Sequence, residues 1–276
     1  MTEILIKKEG GELEVFDAEK LRQSLLRSNT SIISADNIVK EIEENLKPET
    51  TTHEIYRKAF DLLKKNERMG ALRYSIRRSI FGLGPNGFPF EKFVEKVFQK
   101  MGYQTKVGIT LNGNCVSHEI DVVALSPKNE LLLTEIKFHN ELFLKSDTKV
   151  TLYIKARFDD LKNIKFDLFG KKLKPKRMLL VTNTKFTENA VKYAECAGLN
   201  LISWDYPQKG NLHSLIYSTD TYPISILESL SSGEKTHLIS EGIITCDDLM
   251  ASKQLYQFSS EIISEITDEV KSINSK

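Results

Sequence analysis

Residues 118–139 read HEIDVVALSPKNELLLTEIKFH, and this stretch decides how the rest of the chain is arranged. Two apolar runs, Ile120–Leu125 and Leu131–Ile136, flank a turn-forming cluster at residues 126–129. Apolar runs of this length on either side of a turn signal predict a β-hairpin. The hairpin fixes the positions of its few polar side chains, so their spacing indicates geometry.

Three charged side chains interrupt these apolar strands. Asp121 lies in the first strand, and Glu135 and Lys137 lie two residues apart in the second. Because strand side chains alternate between faces, Glu135 and Lys137 share one face and Ile136 points to the other. Burying two carboxylates and a lysine without partners is costly. A divalent metal between Asp121 and Glu135, with Lys137 beside it, would remove most of that cost.

Asp121 followed by Glu135-x-Lys137 on the adjacent strand resembles the core of the PD-(D/E)xK nuclease superfamily, in particular its Mrr-like restriction endonuclease and Holliday-junction-resolvase branch. The resemblance implies a DNA endonuclease in which Asp121 and Glu135 bind the metal and the main-chain carbonyl of Ile136 adds a ligand. Lys137 would position or deprotonate the attacking water. Oxygen-only ligation favours Mg²⁺ or Mn²⁺ over zinc. The Glu-x-Lys spacing also arises by chance in lysine-rich proteins, so the rest of the chain has to support it.

The segment FEKFVEKVFQKMGY at residues 90–103 predicts an amphipathic helix that starts near Pro89 and stops at Gly102. In Mrr-like nucleases the opening helix supplies an acidic residue to the metal site, and the resemblance makes Glu91 the candidate. A glutamate in the first turn also complements the helix dipole without any other role. Both interpretations of Glu91 stay open.

The second half of the predicted domain starts with an amphipathic helix at residues 145–166. Mrr-like proteins often carry a polar residue there that supports the catalytic lysine, and Lys149 or Tyr153 is the candidate, although a helix with one core face and one solvent face explains them equally. Residues 178–207, MLLVTNTKFTENAVKYAECAGLNLISWDYP, resemble the second half of the Mrr-like fold. We therefore expect an α/β domain over residues 89–218, with helices on both faces of a mixed, restriction-endonuclease-like sheet.

A basic cluster spans residues 162–177, with a single acid, Asp167, among its cations. Cations near phosphates release counterions and give salt-sensitive, sequence-independent binding, so DNA is the expected partner. A solvated loop is the alternative interpretation. The cluster consists of Lys162, Lys165, Lys171, Lys172, Lys174, Lys176 and Arg177.

Residues 1–80 predict a small domain of one hairpin followed by helices at residues 17–26, 36–46, 51–63 and 71–80, the second opened by Asp36. The segments KKEGGELEVFDAEKLRQSL and TTHEIYRKAF resemble the ATP-cone, a regulatory nucleotide-binding module. The resemblance implies that ATP or dATP binds here and governs a homo-oligomer. The cations expected to converge on the triphosphate are Lys7, Lys8, Lys20 and Arg22. A helical domain with a solvated charged face is the alternative.

Residues 81–88 break all periodicity with three glycines and predict a linker that leaves the two domains free to move. Residues 219–276 predict a helical C-terminal extension. Within it, Leu238–Leu249 resembles half of a helix-hairpin-helix, in which the turn at Gly242 would offer backbone N–H groups to a DNA phosphate. A structural cap on the nuclease-like domain is the alternative.

Composition bounds the compartment and the partners. The chain has 276 residues, 40% hydrophobic and 28% charged, and a formal net charge of +1, so nucleic-acid contacts must come from local patches. The three cysteines lack metal-ligand spacing and read as reduced. No apolar run approaches the ~18 residues of a membrane span, so we expect a cytoplasmic protein without a membrane partner.

Two functions therefore compete. The first is a Mg²⁺-dependent deoxyribonuclease regulated through an N-terminal nucleotide domain. The second is a nucleotide-regulated DNA-binding or oligomerising protein whose nuclease fold does not cleave. The joint presence of Asp121, Glu135 and Lys137 favours the first.

Overall fold

The computed structural model describes residues 4–8, 10–28, 30–66 and 68–274. The chain forms two compact units, one made of Met1–Arg78 with Ser264–Lys276 and the other of Ser79–Ile263. The predicted extension 219–276 is therefore divided between them. Within the first unit, Ile266 and Ile273 of the last helix are at most 1% exposed, and the Ile273 carbonyl accepts a hydrogen bond from Arg73 Nη2 at 3.2 Å.

The first unit opens with an antiparallel hairpin of β1 (Leu5–Lys7) and β2 (Leu13–Val15). Helices follow in the predicted order: α1 (Ala18–Arg27), α2 (Ile32–Glu44), α3 (Thr52–Asn66) and α4 (Arg68–Phe81). Their apolar faces form one core cluster that includes Leu25, Ile38 and Leu63.

Local capping decides where these helices begin. The side chain of Asp17 accepts a hydrogen bond from the Lys20 N–H at 3.0 Å, as predicted. Asp36 does not open α2, contrary to the prediction, because Ser31 caps that helix by accepting from the Ser34 N–H at 3.2 Å. Asp36 lies inside α2 instead.

The second unit is built on a mixed five-stranded sheet in the order β11-β9-β5-β4-β3. Its strands are β3 (Gln104–Asn112), β4 (Ser117–Leu125), β5 (Leu131–Lys137), β9 (Pro175–Thr182) and β11 (Asn200–Ile202). The first three form an antiparallel meander that contains the predicted hairpin, β9 pairs in parallel with β5, and β11 pairs in parallel with β9. This is the α/β class that the sequence predicts.

Helices flank the sheet. The face that carries Val123 and Leu133 packs in one core with α6 (Thr148–Leu161) and α7 (Glu188–Ala197). The helix α5 (Phe88–Lys100) packs along β3 and β4. The other strands are short: β6 (Lys145–Ser146), β7 (Phe166–Leu168), β8 (Lys171–Leu173) and β10 (Lys185–Phe186). The other α-helices are α8 (Leu212–Thr219), α9 (Ser232–Ser240), α10 (Cys246–Met250) and the longer α11 (Ser260–Asn274).

The glycine-rich segment between α4 and α5 is packed, which corrects the expectation of a loose linker. Leu83 is 1% exposed, and the Pro85 carbonyl accepts a hydrogen bond from the Asn140 side chain at 3.0 Å. The boundary between the units falls earlier, after Arg78 and inside α4. Glycine content alone does not loosen a segment whose apolar side chains find a core.

The turn between α9 and α10 is a helix cap. Gly242 has a φ of 81° and donates its N–H to the Ile239 carbonyl at 3.0 Å, so this group is not offered to a phosphate. Two ion pairs tie α10 to α5, Lys96–Asp248 and Lys100–Asp247, each at 2.6 Å. These contacts favour the structural cap over the helix-hairpin-helix.

Candidate active site

The β4–β5 hairpin brings Asp121 and Glu135 to the same place. The ladder pairs Val122 with Thr134, so the next position along each strand is Asp121 and Glu135, on one face. Past this pair, the Ile136 N–H donates its hydrogen bond to Oδ2 of the Asp121 side chain, at 2.7 Å, and not to the backbone of β4. The side chain of Ile136 is 5% exposed and points away from the two carboxylates.

Glu135 is the most enclosed charge of the group, at 4% exposed. Lys137 Nζ donates to its Oε1 at 2.7 Å, which places the two side chains on the same face as predicted. Arg157 donates through Nη1 to Glu135 Oε2 and through Nη2 to the Glu119 carbonyl. Each carboxylate oxygen of Glu135 therefore accepts a hydrogen bond from a cationic side chain.

Arg157 is a site residue that sequence reasoning missed. It comes from α6 and is 7% exposed. The signal was present, because Arg157 falls three residues after Ile154 and four before Leu161, on the buried face of that helix. An arginine in an apolar helical stripe predicts a buried anionic partner, and here the partner is Glu135.

Glu91 reaches the same region from the first turn of α5. Burial raises the pKa of its carboxyl, and the charges of Glu135 and then Glu119 raise it further. Asp121 responds alike: burial first and the charge of Glu135 next raise the pKa of Asp121 to about 7. The carboxylates thus crowd negative charge into one partly buried place.

These donors fit a hard divalent cation in chemistry. They are all oxygens, and neither the Glu91 carboxylate nor Oδ1 of Asp121 has a hydrogen-bond partner within the described ranges. As the side chains stand, no three such residues in those ranges form a metal-binding group. Both oxygens of Glu135 already accept a hydrogen bond, one from Lys137 and one from Arg157, so a metal ion would share Glu135 with these two cations.

The two helper residues suggested for α6 lie elsewhere. Lys149 and Tyr153 are both exposed, and neither contacts Lys137 in the described structure. The Tyr153 ring lies 5.3 Å from the guanidinium carbon of Arg157. Tyr153 therefore reaches Glu135 only through Arg157.

The part of the basic cluster from Lys171 to Arg177 lies at the opposite end of the sheet from Glu135. In the parallel β5–β9 register Leu131 pairs with Pro175, whereas Lys137 pairs with Thr182. At about 3.3 Å per residue, these ends of the strands are about 20 Å apart. Lys171 accordingly contacts Asn129 in the hairpin turn at 2.6 Å. The cluster belongs to this domain but does not adjoin the site.

In the first unit, three of the four cations expected to hold a nucleotide pair with acids. Lys8 contacts Glu14 at 2.7 Å, Arg22 contacts Asp36 at 2.6 Å, and Lys20 lies 3.7 Å from Asp17. The side chain of Lys7 is exposed. A triphosphate would have to displace these acids.

His118, to which the sequence assigned no role, anchors the β3–β4 turn. Its Nε2 lies 2.8 Å from Asp160 Oδ2, and the same carboxylate accepts from the N–H groups of Cys115 and Val116 at 2.8 and 3.3 Å. The His118 contact first, and the two backbone donors after it, lower the pKa of Asp160 to about 2. The end of α6 is thereby fixed to the strands that carry the site.

Comparison with known proteins places the chain in a family. An uncharacterized protein of Archaeoglobus fulgidus is 34% identical over 157 residues, 57% of this chain and 83% of that protein. The crystal structure of AF1548, a protein of unknown function, is 32% identical with a TM-score of 0.53, over 68% of this chain and 98% of that one. A repair endonuclease from Pyrococcus abyssi is similar over 40% of this chain and 41% of its own, at 21% identity and a TM-score of 0.28. Residues 222–273 match the family model AF1548-like, C-terminal, and the chain belongs to the AF1548-like family.

Proposed function

We propose that this protein is a metal-dependent endonuclease that hydrolyses DNA phosphodiester bonds. The observation that supports it most is the meeting of Asp121, Glu135 and Lys137 at one end of the β4–β5 hairpin, where burial and then the charge of Glu135 raise the pKa of Asp121 to about 7. Acids that repel one another next to a lysine suit the binding of a cation and an anionic phosphate.

Each residue has a distinct part in this proposal. Mg²⁺ or Mn²⁺, held by Asp121 and Glu135 with Glu91 nearby and the Ile136 carbonyl as a further ligand, would supply Lewis-acid stabilisation of the phosphate. Lys137 would turn from Glu135 Oε1, 2.7 Å away, to position the attacking water, or to deprotonate it once its own proton has passed to solvent, and as a cation it would stabilise charge on the phosphoryl oxygens. Arg157 keeps the Glu135 carboxylate in place while Lys137 moves.

A cleavage assay on plasmid, methylated and branched DNA, with and without Mg²⁺, tests the proposal. Lys137→Ala should lower the cleavage rate by roughly 10²-fold or more, the contribution of a positioned proton-transfer group. Lys128→Ala, in the turn at the other end of the hairpin, is the matched control and should cleave like the wild type. Equal rates in both variants would exclude Lys137 from the chemistry.

A non-cleaving DNA-binding or oligomerising protein is the second candidate. The observation that favours it is that Lys137 and Arg157 already occupy both oxygens of Glu135. If that closed arrangement persists with DNA and Mg²⁺ present, no substrate in the panel is cut although DNA binds. The same assay therefore separates the two candidates.

We also propose that ATP or dATP binds the first unit. The hairpin-plus-helices arrangement and the cations Lys7, Lys8, Lys20 and Arg22 near its start support this role. A bound triphosphate would take over the cations that now contact Glu14, Asp17 and Asp36.

A further inference from the structure

The solvent face of α6 is unusually apolar. Tyr153 is 56% exposed and Leu152 is 49% exposed, although both lie in the middle of a folded helix. The loop before the helix adds Phe143 at 47% and Leu144 at 40%. Exposed aromatic and aliphatic side chains concentrated in one segment mark an interaction surface.

This surface carries positive charge that no acid neutralises. The ammonium groups of Lys145 and Lys149 have no ion pair or hydrogen bond within the ranges that the structure describes. In the basic cluster Lys162 contacts Asp159 at 2.6 Å and Arg177 lies 3.6 Å from Glu130, but Lys172, Lys174 and Lys176 have no ion pair in the described ranges either, so the apolar neighbours of its lysines set the α6 segment apart. We call the set of Phe143, Leu144, Lys145, Lys149, Leu152 and Tyr153 the α6 face.

The α6 face adjoins the candidate active site. The Tyr153 ring lies 5.3 Å from the guanidinium carbon of Arg157, and Arg157 holds Glu135. Lys145 lies on β6, which follows β5 by a short loop and pairs with β10, the strand that follows β9. The face therefore lies at the same end of the sheet as Lys137.

We propose that the α6 face binds a single-stranded segment of DNA, with an unpaired base stacked on Tyr153 and phosphates at Lys145 and Lys149. This inference rests on the proposed function and gives it a substrate class: DNA with unpaired nucleotides beside the bond that is cut. A duplex hides the faces of its bases, so exposed Tyr153, Leu152 and Phe143 would gain little from it. A single strand offers base faces for aromatic stacking and phosphates for the free lysines.

Fluorescence anisotropy tests the inference. The probes are a labelled oligo-dT, longer than the roughly 4–16 nucleotides that a single-strand site occupies, and a duplex of equal length. Ca²⁺ replaces Mg²⁺ so that binding is measured without cleavage. The binding result therefore does not depend on whether the protein cleaves DNA. Tyr256→Ala, which removes a tyrosine that is 78% exposed elsewhere in the unit, is the matched control.

We expect Tyr153→Ala to weaken oligo-dT binding about tenfold and duplex binding less than about twofold, with Tyr153→Phe restoring the affinity. Lys149→Ala should reduce the slope of log binding constant against log salt concentration by about 0.7, the value for one phosphate contact on a single strand. Tyr256→Ala should change neither probe. Unchanged oligo-dT affinity in Tyr153→Ala overturns the proposal, as does equal loss on both probes.

Two further outcomes would also overturn it. If neutralising Lys171, Lys172, Lys174 and Lys176 abolishes oligo-dT binding while Tyr153→Ala does not weaken it, the basic cluster is the binding site instead. If Tyr153→Ala converts an oligomer to a monomer in sedimentation, a second copy of the chain occupies the α6 face. Retention of the wild-type sedimentation profile supports the nucleic-acid assignment.

Discussion

Glu135 shares one buried carboxylate between two cations, and they are held differently. Lys137 is 37% exposed at its side chain and can leave for solvent, whereas the Arg157 side chain is 8% exposed and is held by the Glu119 carbonyl as well. Arg157 thus acts as the fixed partner and Lys137 as the mobile one. In the proposed reaction Arg157 would keep the Glu135 carboxylate oriented while Lys137 turns to the attacking water.

Removing Arg157 should therefore cost stability. We expect Arg157→Ala to lower the free energy of unfolding by about 3 kcal/mol, since it leaves Glu135 buried with only Lys137. Urea denaturation measures the change. Lys162→Ala, which breaks an exposed pair with Asp159 on the end of the same helix, is the control and should cost less than about 1 kcal/mol. Equal losses in the two variants would mean that Arg157 does not support Glu135.

The raised pKa of Asp121 leads us to expect a distinct pH dependence of the free energy of unfolding. Its pKa of about 7 lies above the ordinary value of 3.8, so the folded state binds the proton more tightly than the unfolded state. Stability from this group is therefore present below about pH 4 and is lost as the pH rises to about 7. Asp121→Asn should remove that loss and make the variant more stable than the wild type at pH 8 by roughly 1–3 kcal/mol, after allowance for partial solvent exposure.

Urea denaturation at pH 4 and pH 8 measures this difference. Mg²⁺ should stabilise the wild type at pH 8 by relieving repulsion at Asp121, and it should have less effect on Asp121→Asn. Asp167→Asn, on an exposed position of β7, is the control and should follow the wild type. Parallel stability curves for Asp121→Asn and the wild type would contradict the raised pKa.

At the scale of elements, the tightest contact that positions the site is between the β3–β4 turn and the end of α6. A Cβ on Gly113 would lie 2.1 Å from Asp160 Oδ2 and 2.7 Å from the Val116 carbonyl. Gly113→Ala should therefore lower the thermal unfolding temperature, with a cost of about 1–3 kcal/mol for the overpacked turn.

Gly233 provides the matched control. It lies inside α9 and has open space where a Cβ would stand, so Gly233→Ala should raise stability by about 0.5–1 kcal/mol. The two alanine substitutions should therefore change stability in opposite directions. A gain in stability for Gly113→Ala would show that the Asp160 contact is not tight.

Elements also show where prediction from sequence succeeds and where it stops. The β4–β5 hairpin follows from local patterns, so the shared face of Glu135 and Lys137 could be predicted. The parallel pairing of β9 with β5 joins segments about 40 residues apart, and no local pattern indicates its direction of approach. For that reason the position of the basic cluster, at the far end of the sheet, could not be predicted. Arg157 was missed because its partner also lies on another element.

At the scale of the whole molecule, charge is nearly balanced at +1, so the proposed binding of DNA would depend on where unpaired cations lie and not on the net charge. Along the described chain no helix is long and apolar enough to cross a membrane. The second unit contains the matched family segment 222–263, whereas residues 264–273 of that match group with the first unit. The family's C-terminal segment therefore contributes to both units.

The cations near the hairpin of the first unit can couple nucleotide binding to self-association. A nucleotide can shift self-association only if it binds one assembly state better than another. We expect ATP or dATP to bind and to change the oligomeric state. A phosphate that replaces Glu14 at Lys8 would place the nucleotide on the surface of the hairpin, where it changes the surface available to a second copy of the chain.

Calorimetric titration measures nucleotide binding, and sedimentation in the presence and absence of ATP measures the oligomeric state. Lys8→Ala should weaken ATP binding about tenfold, because one charge-assisted hydrogen bond to the phosphate is lost. Lys40→Ala, which removes an exposed lysine of α2, is the control and should leave the affinity for ATP unchanged. An absence of heat at millimolar ATP with an unchanged sedimentation profile would leave Lys8 with Glu14 as its only partner and the hairpin as a structural element.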